Sequence, residues 1–186
     1  VVCSTAINPQ NPEYQAAKSM DLQILHRSDV LAALISQFKS IAVSGTHGKT
    51  TTSSLISFLL LRAGLDPTIV IGGEVKAWEG NARLGEGEYL VAEADESDGS
   101  LVKFSPHLGV ITNIELDHPD HYHSLEQVIS TFQAFAKRCE VVVACTDCLN
   151  TKQHIQPHIT YSLTDTSADY SATQVEYDSD LTRATI

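Results

Sequence analysis

The run Gly45-Thr46-His47-Gly48-Lys49-Thr50-Thr51-Thr52 follows directly on the apolar stretch Ser40-Ile41-Ala42-Val43-Ser44, and it constrains this chain more than any other feature. Two glycines bracketing a short polar turn let consecutive backbone N–H groups face an anion. Lys49 adds a positive charge, and the Thr50 hydroxyl is a ligand for a hard cation such as Mg²⁺. The arrangement reads as a nucleoside-triphosphate loop between a strand and a helix, so ATP or GTP is the expected ligand. The general P-loop pattern has its first glycine where this chain has Val43, which makes the loop a variant with Gly45 standing in.

At 186 residues the chain can bury a substantial core and hold one full domain plus part of another. Its net charge of −11 argues against nucleic acid or an anionic membrane as the main partner, because both reward a surplus of Lys and Arg. The longest unbroken apolar run, Phe58-Leu59-Leu60-Leu61, falls far short of the roughly 20 residues a spanning helix needs. No membrane insertion and a cytoplasmic location are therefore expected. The chain opens on Val1-Val2-Cys3 with no initiator Met, which suggests a fragment. Cys3, Cys139, Cys145 and Cys148 are few and unevenly placed, as suits reduced thiols. Cys145-x₂-Cys148 followed by His154-x₃-His158 imitates zinc spacing, but the gap between the pairs is far shorter than the roughly 12 residues of a zinc finger. Buried thiols and surface histidines are the preferred reading.

The expected fold is α/β, a mostly parallel P-loop-type sheet preceded by the C-terminal part of a Rossmann-like domain. Residues 1–39 read as βαβα, with a helix capped by Asn11 and opened by Pro12, a strand at Leu22–Leu25, and a second helix capped by Ser28. Residues 40–186 read as a central nucleotide-binding domain, incomplete at its C-terminus. Its near-continuous apolar strands are Ile41 to Ser44, Thr68 to Ile71, Tyr89 to Ala94, Leu108 to Ile114 and Glu140 to Ala144. Helices are expected from Thr50 to about Arg62, and from Leu125 to about Arg138 behind a capping box at Ser124 and Gln127. The polar stretch after Asn150 suggests short edge strands or frayed ends.

Two further polar bursts begin where strands end. After Tyr89–Ala94 comes Glu93-Ala94-Asp95-Glu96-Ser97-Asp98-Gly99, in which Glu93 is the candidate Mg²⁺ ligand because it lies inside the apolar run; Glu96 and Asp98 suit a solvated loop. After Leu108–Ile114 comes Glu115-Leu116-Asp117-His118-Pro119-Asp120-His121-Tyr122-His123, open to a metal, acid/base or plain polar reading. His118, nearest the strand end, is the candidate ligand and Asp117 its candidate orienting partner, with His121 and His123 structural or exposed. All three motifs fall at carboxyl ends of predicted parallel strands, the edge where open α/β sheets bind ligands.

Gly-Thr-His-Gly-Lys-Thr-Thr-Thr, Ala-Glu-Ala-Asp-Glu-Ser-Asp-Gly-Ser and Thr-Asn-Ile-Glu-Leu-Asp-His-Pro-Asp-His-Tyr together resemble the Mur ligase family of peptidoglycan synthesis, most of all the branch that joins L-alanine to UDP-N-acetylmuramate. Ser4 to Ile7 with Asn11-Pro12-Glu13 is similar to that branch's N-terminal domain. The resemblance implies that Gly45, Thr46, His47, Gly48, Lys49, Thr50 and Thr51 cradle ATP, with Lys49 on the β/γ-phosphates. It implies one Mg²⁺ on Thr50 and Glu93 and a second held partly by His118. Lys49, Glu93 and His118 are then the catalytic set. The implied reaction activates a carboxylate as an acyl phosphate, which the amine of L-alanine displaces. Ser4, Asn113 and Glu115 are candidate UDP-sugar contacts from their strand-end placement. The chain lacks the family's glycine-rich opening and its C-terminal domain, so it is expected to be inactive alone. The loop by itself also admits a kinase or nucleotide switch, or related ligases such as folylpolyglutamate synthase and the muropeptide-recycling enzyme.

Overall fold

The computed structural model describes residues 1–179 and 181–186. Strand β1 (Val2–Cys3), helix α1 (Pro12–Ser19), strand β2 (Leu25–His26) and helix α2 (Arg27–Ile35) come first, with β1 and β2 paired in parallel. Asn11 caps α1 as expected, its Oδ1 accepting from the N–H groups of Glu13 (2.9 Å) and Tyr14 (3.1 Å). Two expectations need correcting. The strand expected over Leu22–Leu25 shrinks to Leu25–His26, because its partner, β1, is two residues long. The cap of α2 is His26 rather than Ser28: the His26 ring accepts from the Ser28 N–H and Asp29 reaches back to the His26 N–H at 3.0 Å.

The rest of the chain runs β3 (Lys39–Ser44), α3 (Lys49–Arg62), β4 (Thr68–Val75), β5 (Gly80–Arg83), β6 (Tyr89–Glu93), a 3-10 turn (Ser100–Lys103), β7 (Leu108–Ile111), α4 (Leu125–Ala136), β8 (Val141–Cys145), α5 (Leu149–His154), β9 (Ile159–Ser162) and β10 (Tyr170–Ser171), closing with an antiparallel pair, β11 (Thr173–Tyr177) and β12 (Thr182–Thr185). Strands β3 to β10 form one sheet in the order β10-β9-β8-β7-β3-β6-β4-β5. Every neighbouring pair is parallel except the edge hairpin β4–β5. The expected mostly parallel α/β sheet is therefore present. With β6 on one side of β3 and β7 on the other, β3 lies where strand order reverses, and the carboxyl edge at such a point is where open α/β sheets bind ligands.

On one sheet face Ala42, Leu90, Ala92, Ile111, Val142 and Ala144 pack with Ile35 of α2, Leu101 and Phe104 of the 3-10 region, and Phe132 and Phe135 of α4. Alternation sends Val43, Val91 and Ile69, all fully buried, to the other face, where α3 lies. Helix α3 meets that face through serines: Ser53 and Ser57 are fully buried and back-bond to the carbonyls of Lys49 (2.8 Å) and Ser53 (2.7 Å). Small side chains permit the close approach, and the hydroxyls stay satisfied inside the helix.

Other elements shift from their sequence expectations for identifiable reasons. Strand β7 stops at Ile111, because Thr112 and Asn113 turn their polar groups to the loop after β3. The Ser124 side chain makes no cap; Gln127 accepts instead from the His123 N–H at 2.8 Å, one residue earlier than a capping box requires. The zinc-like residues face separate partners: Cys148 sits on Ile114, Cys145 on Asp147, and His158 Nδ1 accepts from the Val142 N–H at 3.0 Å.

Asp147 ties α5 and β9 into the sheet by accepting from the Ser162 and Thr164 hydroxyls and the Leu163 and Thr164 N–H groups. Burial raises its carboxyl, but these donors outweigh that and bring it down to about 2. Its folded value lies below its unfolded one, so its stabilising contribution is complete above about pH 4 and fades as pH falls towards 2. Acid titration of Asp147→Asn, followed by circular dichroism, is expected to show a flatter stability loss over that window than the parent.

Candidate functional site

The loop after β3 is built on a glycine that no other residue replaces. Gly45 has φ +142°, and a Cβ there would stand 1.9 Å from Thr112 Oγ1. Thr112 and Asn113 hold the loop from the end of β7. The Thr112 hydroxyl donates to His47 O (2.7 Å), Asn113 Oδ1 accepts from the His47 N–H (2.8 Å), and Asn113 Nδ2 donates to His47 O (3.0 Å). The Thr46 N–H donates to Asn113 O at 3.1 Å, and the Thr46 hydroxyl accepts from the Glu115 N–H at 2.8 Å. Of the seven-residue cradle expected from Gly45 to Thr51, the N–H groups of Thr46 and His47 are thus already spent on the neighbouring segment. Gly48, at φ +83°, opens α3 with no side-chain cap, so the positive end of that helix is left facing the loop.

Lys49 folds back over this loop. Its Nζ donates to Gly45 O at 2.7 Å and to Glu96 Oε1 at 2.9 Å, with Thr46 O at 3.4 Å. Thr50 donates its hydroxyl to Glu93 Oε2 at 2.9 Å, and the same oxygen accepts from the Gly72 N–H at 2.7 Å. Glu93 reaches Thr50 because it pairs with Val43 in register and so points to the α3 side of the sheet. Gly72 is a site residue that sequence reasoning missed. A Cβ there would lie 2.8 Å from the Glu93 carboxylate, and the Gly72-Gly73 pair inside β4, after the apolar run Thr68–Ile71, was the available signal.

The largest correction concerns Glu96. Expected on a solvated loop, it is buried, with its side chain 2% exposed. Its Oε1 is shared between Lys49 and His118 Nε2, which lies 3.5 Å away, and its Oε2 has no partner among the described residues. The Tyr122 hydroxyl donates to Glu96 O at 2.7 Å and fixes the backbone. His118 adopts a left-handed φ of +56°, and its carbonyl accepts from the N–H groups of His121 and Tyr122. Such strain is tolerated by His and concentrates at functional positions. Asp117 does not orient the His118 ring as expected; it accepts from the His118 N–H at 2.7 Å, a bond that holds its own carboxyl below the usual range. His121 Nε2 packs under Gly99, and His123 is exposed.

The resemblance implied one ion on Thr50 and Glu93 and a second held partly by His118. The structure pairs Thr50 with Glu93, and gathers His118 with Asp95 and Glu96, one ligand atom from each lying within 4.8 Å of the others. The oxygens of Thr50 and Glu93 match the hard donors Mg²⁺ prefers, and the partnerless buried oxygen of Glu96 calls for a cation, so these residues fit the expected ion. Of the candidate substrate contacts, Asn113 spends its carboxamide on His47, and the exposed Glu115 carboxylate lies 3.7 Å from His47 Nε2. Ser4 follows β1, whose sheet with β2 is separate from the eight-stranded one. A cleft of about 500 Å³ at the opposite sheet edge is lined by Lys39, Ser40, Glu88, His107 and Glu140. Its charges are paired, Lys39 with Glu88 and His107 with Glu140, each at 2.8 Å.

The model of the Mur ligase middle domain matches residues 43–186, and that of the Mur ligase family catalytic domain matches residues 1–39. The chain belongs to the Mur ligase family. The UDP-N-acetylmuramate--L-alanine ligase of Nostoc punctiforme is 63% identical over the whole chain, which spans 39% of that relative's length. Among solved Mur ligases, the UDP-N-acetylmuramate-alanine ligase of Thermotoga maritima superposes with a TM-score of 0.84 at 27% identity, over 94% of this chain and 40% of that one. The MurF ligase of Thermotoga maritima, solved in complex with ADP, shares the fold with a TM-score of 0.67 at 18% identity, over 98% of this chain and 52% of that one. The loop, the acidic burst and the His118 segment all lie within the middle-domain match.

Proposed function

We propose that this chain is the nucleotide-handling part of an ATP-dependent ligase. The whole protein would join L-alanine to the carboxylate of UDP-N-acetylmuramate through an acyl phosphate, in cytoplasmic synthesis of peptidoglycan precursors. Residues 40–186 form its ATP domain and residues 1–39 the end of its UDP-substrate domain. The observation that carries the reading is convergence at one sheet edge: the uncapped start of α3, the Lys49 ammonium, and the Thr50–Glu93 pair all lie at the carboxyl end of β3 and its neighbour β6.

A carboxylate and ATP repel each other, so the site must gather positive charge where both arrive. The first turn of α3 receives phosphate oxygens on its N–H groups. Lys49 neutralises charge on the β- and γ-phosphates, and Thr50 with Glu93 would hold Mg²⁺ against them. When bound, Mg²⁺ supplies Lewis-acid stabilisation of the transferring phosphoryl group. Glu93 is held ready by the Gly72 N–H and Thr50 hydroxyl, and His118 stands beside Glu96.

Calorimetric titration of the chain with ATP tests this. Saturable binding is expected in Mg²⁺, weakening by about tenfold in EDTA, with Glu93→Gln insensitive to the metal. Binding by the parent with no dependence on Mg²⁺, or an unchanged dependence in Glu93→Gln, would remove Glu93 from the site.

A further inference from the structure

We propose that Glu96 is the resting counter-ion of Lys49, surrendering the lysine to nucleotide phosphate on binding and turning its own charge to His118. This rests on the nucleotide reading above. In the structure the Lys49 ammonium is turned back onto its own loop and onto Glu96. It is held at 2.9 Å by a carboxylate that is 2% exposed, and at 2.7 Å by the carbonyl of Gly45. A lysine so paired is unavailable to phosphate until the pair opens.

The two partners are unequally tethered, and that decides which one moves. The Glu96 carbonyl accepts from the buried Tyr122 hydroxyl at 2.7 Å and from the Gly99 N–H at 2.9 Å. Beyond it the segment is fastened to α2, where Lys103 meets Asp29 at 2.6 Å and Arg27 lies 3.4 Å from Asp98. The Lys49 ammonium, by contrast, sits at the end of a four-carbon stem with several rotatable bonds, and its hydrogen bonds run to Gly45 O, Thr46 O and Glu96 Oε1. A phosphate arriving at the start of α3 therefore draws the lysine and leaves the carboxylate in place. A buried carboxylate without a cation is costly, and Glu96 already has one oxygen with no partner. His118 Nε2, without a hydrogen-bond partner among the described residues and 3.5 Å from Glu96 Oε1, marks where its charge is next used. Glu96 is thus a positioning residue acting through Lys49. It keeps the loop closed at rest and makes release of Lys49 conditional on phosphate.

Glu96→Gln keeps the side-chain shape and the backbone bonds while removing the competing charge. Measured in EDTA, so that no metal intervenes, this variant is expected to bind ATP about tenfold more tightly than the parent. Asp95→Asn removes equal charge from the same cluster but no partner of Lys49, and is expected to gain less than about threefold. A purely structural role for Glu96 would weaken binding and lower the melting temperature together. In the parent, NMR should detect the Lys49 ammonium coupled through its hydrogen bond to the Glu96 carboxylate carbon, with the coupling lost on saturation by ATP. ATP binding by the parent with unchanged or weaker affinity in Glu96→Gln, an equal gain in Asp95→Asn, or a coupling that persists with ATP bound would each overturn the exchange alone. Absence of ATP binding by both folded proteins would overturn it together with the nucleotide reading.

Discussion

Lys49→Ala is expected to destabilise the nucleotide-free chain by about 3 kcal/mol as well as to lower its affinity for ATP by about 100-fold. The first effect does not follow from the loop motif. The Lys49 and Glu96 side chains are only 13% and 2% exposed, so removing the ammonium strands a buried carboxylate that already has one partnerless oxygen. Breaking such a pair costs more than the pair contributes over a neutral substitute. The double variant Lys49→Ala/Glu96→Gln should accordingly recover most of the lost stability while remaining a poor binder of ATP. Thermal melts followed by circular dichroism and calorimetric titration separate the two effects. A Lys49→Ala protein as stable as its parent would mean that Glu96 is not paired as the structure has it. Undiminished ATP affinity would take Lys49 out of the phosphate site.

Gly45→Ala is expected to cost about 4 kcal/mol, seen as a fall of about 10 °C in Tm, and to abolish binding at the loop. Two penalties combine there. The backbone lies at φ +142°, and the added methyl would meet Thr112 Oγ1 at 1.9 Å and the Asn113 N at 3.1 Å. Relief requires moving the strand-end segment that holds the loop through His47. Gly48 provides the contrast: it also has positive φ, at +83°, but a Cβ there meets nothing within 4 Å, so Gly48→Ala should cost only about 1 kcal/mol of backbone strain. Adding Thr112→Ala to Gly45→Ala should restore part of the loss. Equal melting temperatures for the two single variants would contradict the close approach of the loop to β7.

Much of this arrangement is legible in the chain, because strand-end motifs of an α/β sheet advertise themselves locally. An apolar run followed by glycines, or by a burst of carboxylates and histidines, marks where a parallel strand leaves the sheet, and the shared edge follows from strand direction alone. The loop, Glu93 and His118 become candidates in this way. The Thr50–Glu93 contact needed only alternation along β6 and the loop's position on the adjacent strand. Glu96 was left open between a solvated loop and a metal role because nothing within its own segment marks it as covered; the groups that enclose it, Tyr122 and Lys49, lie 26 and 47 residues away in the chain. Asp117 was assigned to the His118 ring on proximity, yet a carboxylate next to a left-handed residue finds the backbone N–H first. The helix α3, expected from the pattern but not its facing, turns serines to the sheet and leaves Leu55, Phe58 and Leu59 exposed, since contact with the strands is decided by how closely the helix must approach.

The sequence by itself determined the fold class, the family, and the three segments that form the site, since those depend on patterns within a few residues of one another. Tertiary structure alone decided which side chains meet: Lys49 with Glu96, His118 with Asp95 and Glu96, Asn113 with His47, and Gly72 with Glu93. The reason is the order of strands in the sheet. Placing β3 between β6 and β7 brings residues tens of positions apart within hydrogen-bond reach, and burial there then selects which charges must be paired.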